Sequence, residues 1–337
     1  MNILVDTVAP TAKAPASLLT SPPTLAPRFL EPAGLRWGRF ATRDGATLRW
    51  AHLAVPTPTA NVLLLGGFTE FIEKYFELLR DLAARGFSVW CLDWRGQGGS
   101  ERSESVHGIN LPPPRDFDRD AADLADFMNK IPPQDGLPRF LMAHSMGGAI
   151  AMLALKRDPA LVNAAMLSAP MFEVATGPLP NFAARTLAWF MTAVGAGQTF
   201  IPGTGPWRFD DQLCPATSTT SSEPERCLVH RNWFASKPSL RIDGPTFAWA
   251  KSAFDLTKRF KRSGFFEGIA TPILIGSAAC EAFVGPRSHR AAAARLPHAR
   301  LVEFPHAKHE LFMEKDEFRD AWLAEIEAFA SLHRARP

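Results

Sequence analysis

Six residues, Ala143-His144-Ser145-Met146-Gly147-Gly148, constrain this chain more than any other stretch. The apolar run Phe140-Leu141-Met142 leads into them, and Ala149-Ile150-Ala151-Met152-Leu153-Ala154-Leu155 leads out. Such flanks specify a short buried strand, a serine between small residues, and then a helix. That is the layout of a nucleophile elbow, a turn that lifts a serine hydroxyl clear of a sheet. The backbone turns so sharply that only small residues fit two places before and two after the serine. Gly147 meets the second requirement, while Ala143 stands where the G-x-S-x-G pattern has glycine. The competing reading is a serine that merely caps an ordinary helix.

The rest of the chain supplies a sheet for such an elbow. Strand-like segments fall at 37–42 and 47–53, separated by the turn Arg43-Asp44-Gly45. The apolar run 61–65 ends in Gly66-Gly67, as a buried parallel strand would. Between 71 and 85, Phe71, Tyr75, Leu78, Leu79 and Leu82 recur at helical spacing, and Gly86 closes the segment. Strands are expected at 87–92, 140–144 and 161–168, with helices at 116–131 and 146–157. This alternation predicts a mostly parallel sheet with helices on both faces. The rhythm breaks after Pro170 and resumes with a strand at 272–277, a helix at 286–296, a strand at 301–304 and a helix at 316–333. The expected organisation is an α/β core over 35–170 and 267–337, with an inserted, mainly helical cap over 171–266. Residues 1–34, rich in Pro, Ala, Thr and Ser without periodicity, read as a flexible tail.

Bulk properties exclude several classes. With 46% hydrophobic and 21% charged residues, the chain is globular rather than disordered. A formal net charge of +3 with no long basic run gives no reason to expect nucleic acid. Four cysteines are too few for a disulfide scaffold, and only Cys214 and Cys227 fall close enough to pair, reduced thiols being the expectation. No apolar stretch approaches the roughly 20 residues that span a bilayer. No basic segment followed by an apolar core begins the chain. A soluble cytoplasmic protein is expected, with loose association to a membrane surface left open.

A serine hydroxyl needs a base within hydrogen-bond reach. Phe304-Pro305-His306-Ala307-Lys308-His309-Glu310 follows the last strand, where a loop can return a histidine to the serine. His309, just before Leu311-Phe312-Met313, is the better placed of the two, and His306 reads as a solvated loop residue. His144 adjoins the serine, but alternation in a strand should aim it elsewhere. The base in turn needs a carboxylate to hold its tautomer. After the strand 272–277, the loop 278–284 offers one, Glu281; Glu267 and Asp255 are weaker alternatives. Oxyanion donors are expected at the backbone N–H of Met146 and, in the loop Gly66-Gly67-Phe68-Thr69-Glu70, at the N–H of Phe68. The glycines there admit close backbone approach, or simply end a strand. A second glycine-rich loop, Asp93-Trp94-Arg95-Gly96-Gln97-Gly98-Gly99-Ser100, lacks the Gly-Lys-Ser/Thr of a phosphate loop and is expected to brace the rim of the site.

Taken in order, these motifs resemble those of the α/β-hydrolases of the monoacylglycerol lipase and bacterial lysophospholipase-like group. The matching residues are Gly67-Phe68-Thr69-Glu70 with Tyr75, Asp93-x-Arg95-Gly96-x-Gly98-x-Ser100, His144-Ser145-Met146-Gly147-Gly148, Thr271-Pro272-Ile273-Leu274 and His309-Glu310. Within the inserted segment, Ser222-Glu223-Pro224-Glu225-Arg226 and Gly244-Pro245-Thr246-Phe247-Ala248-Trp249 resemble lysophospholipase-like members. The resemblance implies an α/β-hydrolase fold and ester hydrolysis through an acyl-enzyme, with no metal or cofactor. Three positions depart from the group: Ala143 for glycine, Gly66 where histidine is usual, and Glu281 where aspartate is usual. Acyl transfer by the same triad, and a binding protein that retains hydrolase residues, are the rival functions.

The inserted segment is rich in aromatic residues: 15 of the chain's 34 Trp and Phe lie in 172–266. That suits a pocket for an acyl chain, but equally a core that the segment builds for itself. Phe182, Leu187, Phe190, Met191 and Val194 could face lipid aggregates; packing onto the hydrolase core is the expectation. The substrate expected is a small lipid ester, a lysophospholipid or a monoacylglycerol.

Overall fold

The structure, a computed structural model, describes residues 25–102, 109–133, 135–210, 212–213 and 215–334. Eight strands form one sheet: β1 (Arg36–Ala41), β2 (Thr47–Leu53), β3 (Ala60–Leu65), β4 (Phe87–Leu92), β5 (Arg139–His144), β6 (Ala164–Ser168), β7 (Ile273–Ala278) and β8 (Ala299–Phe304). Their order is β1-β2-β4-β3-β5-β6-β7-β8. The first two strands run antiparallel to their neighbours, and every pairing from β4 to β8 is parallel.

Alternation along the central strands builds two cores. Leu63, Leu65, Leu141 and Ala143 face a core completed by Leu124 and Phe127 of α2 (Phe117–Lys130) and Ile150 and Leu153 of α3 (Met146–Arg157). Val62, Leu64, Phe140 and Met142 face the other, with Leu78, Leu79 and Leu82 of α1 (Phe76–Ala84) and Trp322, Leu323 and Ile326 of α8 (Asp316–Leu332). Each such side chain contributes roughly 1.5–3 kcal/mol by leaving water. A strand register shifted by one residue would exchange the two sets.

Between β6 and β7 lie three helices, α4 (Asn181–Ala193), α5 (Arg226–Ser236) and α6 (Phe247–Phe260), and α7 (Pro286–Ala293) follows β7. Helix α6 packs on α4 and contributes Trp249, Ala253 and Phe254 to the first core. Two expectations need correction. The tail is shorter than 1–34 within the described residues. Phe29 is buried, and Arg80 donates to the carbonyls of Arg28 and Leu30 at 2.7 Å. Residues 1–24 and Cys214 lie outside the described residues. Nor does α4 lay most of its large apolar side chains on the core: Phe182 is 75% exposed, Phe190 53% and, just past the helix, Val194 57%, while Ala188 is buried and Met191 packs against the core.

Candidate active site

Four loops meet at the C-terminal edge of the parallel strands, the edge where open α/β sheets bind ligands. They follow β3, β5, β7 and β8, and carry Phe68, Ser145, Glu281 and His309.

Ser145 follows β5 directly, with φ 50° and ψ −116°. A non-glycine residue rarely holds a positive φ, and the strain persists because the surroundings fix both its peptide groups. Its N–H donates to the Ser168 carbonyl at 3.0 Å, and its carbonyl accepts from Met171 N at 2.9 Å. A Cβ at position 147 would lie 2.5 Å from the Gly66 carbonyl oxygen, and one at 148 would lie 2.8 Å from Pro170 Cβ. The two glycines therefore let α3 start hard against the ends of β3 and β6. Ala143, buried on β5, is accommodated in the first small position.

His309 Nδ1 and Glu281 Oε2 are 2.6 Å apart. Glu281 also accepts from the N–H groups of Phe283 at 2.8 Å and Val284 at 3.4 Å, and its side chain is closed to solvent. Burial opposes its charge. The hydrogen bond from His309, the imidazole's charge and the two backbone donors outweigh that and hold the carboxyl below its ordinary range. The His309 ring lies 4.5 Å, centroid to centroid, from that of His144, the residue before Ser145. No hydrogen bond joins Ser145 to His309 among the described residues; such contacts commonly tighten only when substrate binds. His306 is exposed, as expected. Asp255 pairs with Lys251, and Glu267 with Arg295, both at the surface.

In the loop 66–70, expected to supply an oxyanion donor, the N–H groups differ in whether they are satisfied. Gly67 N–H donates to Glu70 Oε2, Thr69 N–H to Gln97 Oε1 at 3.2 Å, and Glu70 N–H to the Gly67 carbonyl at 3.4 Å. The N–H of Phe68 is left with no acceptor among the described residues. Met146, first residue of α3, carries one of the orphan N–H groups of a helix start. Gln97 Nε2 holds the Gly67 carbonyl at 3.0 Å, and Trp94 Nε1 holds that of Gly66 at 2.8 Å, so the second glycine-rich loop braces this one. A Cβ at 66 would come within 3.1 Å of Glu70 Cβ and 3.4 Å of the Tyr75 ring, a tight fit that a side chain there would have to relieve.

Behind the loop sits a cluster that sequence reasoning did not assemble. Lys74 Nζ is bonded to Glu70 Oε1 at 2.6 Å and to Glu310 Oε1 at 2.7 Å, and Tyr75 Oη donates to Glu70 Oε2 at 2.5 Å. Burial disfavours a charged Glu70, but Lys74, His144 and the hydrogen bonds from Lys74 and Tyr75 hold it well below the usual carboxylate range. Burial pushes Glu310 up. His144, lowered to about 3 by burial, stays neutral, and its Nδ1 lies 3.1 Å from the Ser168 carbonyl oxygen. Glu70, His144 and Glu310 lie close enough to suggest a metal site, but the Lys74 ammonium already supplies their cation. The one available signal was local: Glu70 and Lys74 stand four apart, ahead of Tyr75.

Two aromatic rings lie beside Phe68 and His309, one from the inserted segment and one from the loop after β7. Trp249 of α6 lies 4.2 Å from Phe68, and Phe283 lies 5.1 Å from His309. A separate cavity of about 700 Å³, lined by Arg95, Arg102, Ile109, Leu111 and Ile242, includes neither Ser145 nor His309.

A strained serine on a strand-to-helix elbow of such a sheet, with an acid and then a histidine following in chain order, defines an α/β-hydrolase. The chain belongs to the family described as serine aminopeptidase, S33, whose profile matches residues 56–316. It is 32% identical over 305 residues to lysophospholipase L2 of Escherichia coli, covering 88% of this chain and 87% of that protein. It is 36% identical over 115 residues to human monoglyceride lipase, 34% of this chain and 36% of that one. Its fold is similar to a soluble variant of monoglyceride lipase from Saccharomyces cerevisiae solved with a substrate analog. The TM-score is 0.66 at 20% identity, over 89% of this chain and 96% of that one.

Proposed function

We propose that Ser145, His309 and Glu281 form a catalytic triad that hydrolyses carboxylic esters of monoacylated lipids, lysophospholipids or monoacylglycerols. The observation that carries this reading is the strained Ser145 on the sheet edge that also holds the 2.6 Å His309–Glu281 pair. Ser145 Oγ attacks the ester carbonyl carbon while His309 Nε2 takes its proton. The N–H groups of Phe68 and Met146 hold the resulting oxyanion, and a donor of this kind is worth about 3–4 kcal/mol to the transition state. As the intermediate collapses, the C–O bond breaks and His309 returns the proton to the leaving alcohol. Water then attacks the acyl-enzyme by the same route and releases the fatty acid. Glu281 holds the imidazole and balances its transient charge.

The substrate class is supported by the aromatic rings beside Phe68 and His309 and by the relatives that carry lysophospholipase and monoglyceride lipase names. An aminopeptidase would need a free carboxylate for the substrate's α-ammonium. The buried pair beside this site, Glu70 and Glu310, is already bonded to Lys74. Residues 171–266 act as a cap over the site. No helix among the described residues is long and apolar enough to cross a membrane. The exposed face of α4 gives the protein a means of resting on a lipid surface from the cytoplasm.

Ser145→Ala is expected to lower ester turnover by on the order of 10⁴ to 10⁶; wild-type turnover in that variant would discard the mechanism. Substrate class is tested with p-nitrophenyl esters of graded length beside lysophosphatidylcholine and monoacylglycerol. Each buried methylene should raise preference about fourfold until the pocket is full. A preference for acetate over all longer chains would remove the lipid assignment.

A further inference from the structure

The Glu70–Lys74–Glu310 cluster takes no part in the chemistry above, yet it costs the fold a great deal. Three ionisable side chains are almost fully buried there: Glu70 is 5% exposed, Lys74 1% and Glu310 9%. Well-packed apolar residues in their place would commonly be as stable or more so. What apolar packing does not supply is fixed distance between two separate loops. Charge-assisted hydrogen bonds do, because their length and direction are narrowly held.

Each end of the cluster terminates on a different part of the proposed machinery. At one end Glu70 uses Oε1 for Lys74 and Oε2 for both Tyr75 and the Gly67 N–H. Glu70 thereby fixes the Gly66–Gly67 peptide, one before the peptide that carries the Phe68 N–H, and keeps Gly67's donor away from substrate; its own N–H also donates to the Gly67 carbonyl at 3.4 Å. At the other end Glu310 is bonded to Lys74 and follows His309 directly in the chain. Lys74 itself is held from behind. It lies in the 3-10 turn Ile72–Tyr75, whose first N–H donates to Asp93 Oδ1 at 3.0 Å. His144 remains neutral beside it, so Lys74 is the cluster's cation among the described residues.

We propose that Lys74 is a positioning residue whose buried ammonium ties the oxyanion loop, through Glu70, to the loop of the catalytic histidine, through Glu310, and so sets the distance between the oxyanion donor and the base. The proposal rests on the triad reading above. A displaced Phe68 N–H fails the transition state more than the ground state, so Lys74→Met should lower kcat by about 100-fold. KM for a p-nitrophenyl ester should stay within about threefold. Lys74→Arg keeps the charge and both hydrogen bonds and should restore kcat to within about tenfold of wild type.

Rates are to be expressed per mole of folded protein, counted from near-ultraviolet circular dichroism. Should Lys74→Met fail to fold, Glu310→Gln takes its place. It removes the charge from one arm of the tie while leaving an amide oxygen to accept from Lys74, and its kcat should fall by about tenfold or more with KM held. Lys74→Met, or Glu310→Gln in its stead, with wild-type kcat per folded molecule would overturn the proposal. So would loss of kcat in Lys74→Arg equal to that in Lys74→Met. Ser145→Ala run beside them separates the two claims: its inactivity with unimpaired Lys74→Met sinks the tie alone, whereas its full activity sinks the triad.

Discussion

Two helices of the same inserted segment meet the rest of the molecule in opposite ways. Helix α5 is joined to the core by buried charge. Arg226 forks onto Glu77 at 2.7 and 2.9 Å, reaches Asp316 at 2.7 Å, and donates to the Glu314 carbonyl at 2.7 Å. At its far end Lys237 pairs with Glu73 at 2.9 Å. Trp233 meets Phe76 edge to face at 5.7 Å, and Phe234 stacks on Phe71 at 5.1 Å. Helix α4 has one buried residue and turns Phe182, Leu187, Trp189 and Phe190 to solvent, with Val194 exposed just past its end. The difference assigns separate duties. Ion pairs that span core and insertion hold α5 in place, whereas α4 leaves a large apolar face open to solvent, the kind of face that marks interaction sites.

The comparison breaks first if α5 is not held by charge. Arg226→Ala leaves Glu77 buried without its main partner, and should cost about 3–5 kcal/mol in urea unfolding. A loss below about 1 kcal/mol would place the pair with ordinary surface bridges, and the distinction between the helices would collapse.

Acid should attack the same region next. His230 of α5 packs between Phe71 and Phe234, at 5.2 and 4.3 Å; burial, with help from the Lys74 charge, lowers it to about 3. His289 is lowered to about 4 by burial, where it bridges Ser277 and the Pro170 carbonyl at 2.8 Å each. Both are neutral in the folded chain at a pH where the unfolded chain already protonates them. The unfolded state thus binds more protons, and stability falls as pH drops from about 6.5 toward 4. Each such histidine contributes a slope of about 1.4 kcal/mol per pH unit in that window. His230→Phe should flatten the acid limb of the thermal unfolding midpoint against pH; an unchanged limb would mean that α5 does not depend on a neutral imidazole.

How much of this was legible depended on whether the determinant was local. Strands β2 and β4 and helix α3 begin and end where their patterns predict, because each is specified by its own side chains. The Leu161–Ser168 expectation overran β6 at its start, where the Asn163 side chain accepts from Arg139 N and the Leu161 carbonyl from the Arg139 guanidinium. The helix expected from Phe71 opens as a 3-10 turn, since Glu73 and Lys74 are buried there by partners elsewhere. Glu281 could be found because it is the one carboxylate in its loop. Lys74 could not, because Glu310 reaches it only once β3 and β8 share a sheet. Exposure of α4 was hidden too: its composition suits a core helix, and only the packing shows which faces are taken.

Helix α4 therefore supplies the smallest expected effect on stability and the sharpest contrast. Phe182 and Trp189, 75% and 59% exposed, bury little, so the double substitution Phe182→Ser, Trp189→Ser should change unfolding free energy by no more than about 0.5 kcal/mol. It should leave turnover of a soluble short-chain ester unchanged while reducing sedimentation with phosphatidylcholine vesicles, because the lost area is what a lipid surface would cover. Equal losses on soluble and aggregated substrate would instead make α4 part of the acyl pocket. A large loss of stability would return it to the core, and the two helices would then differ in chemistry but not in role.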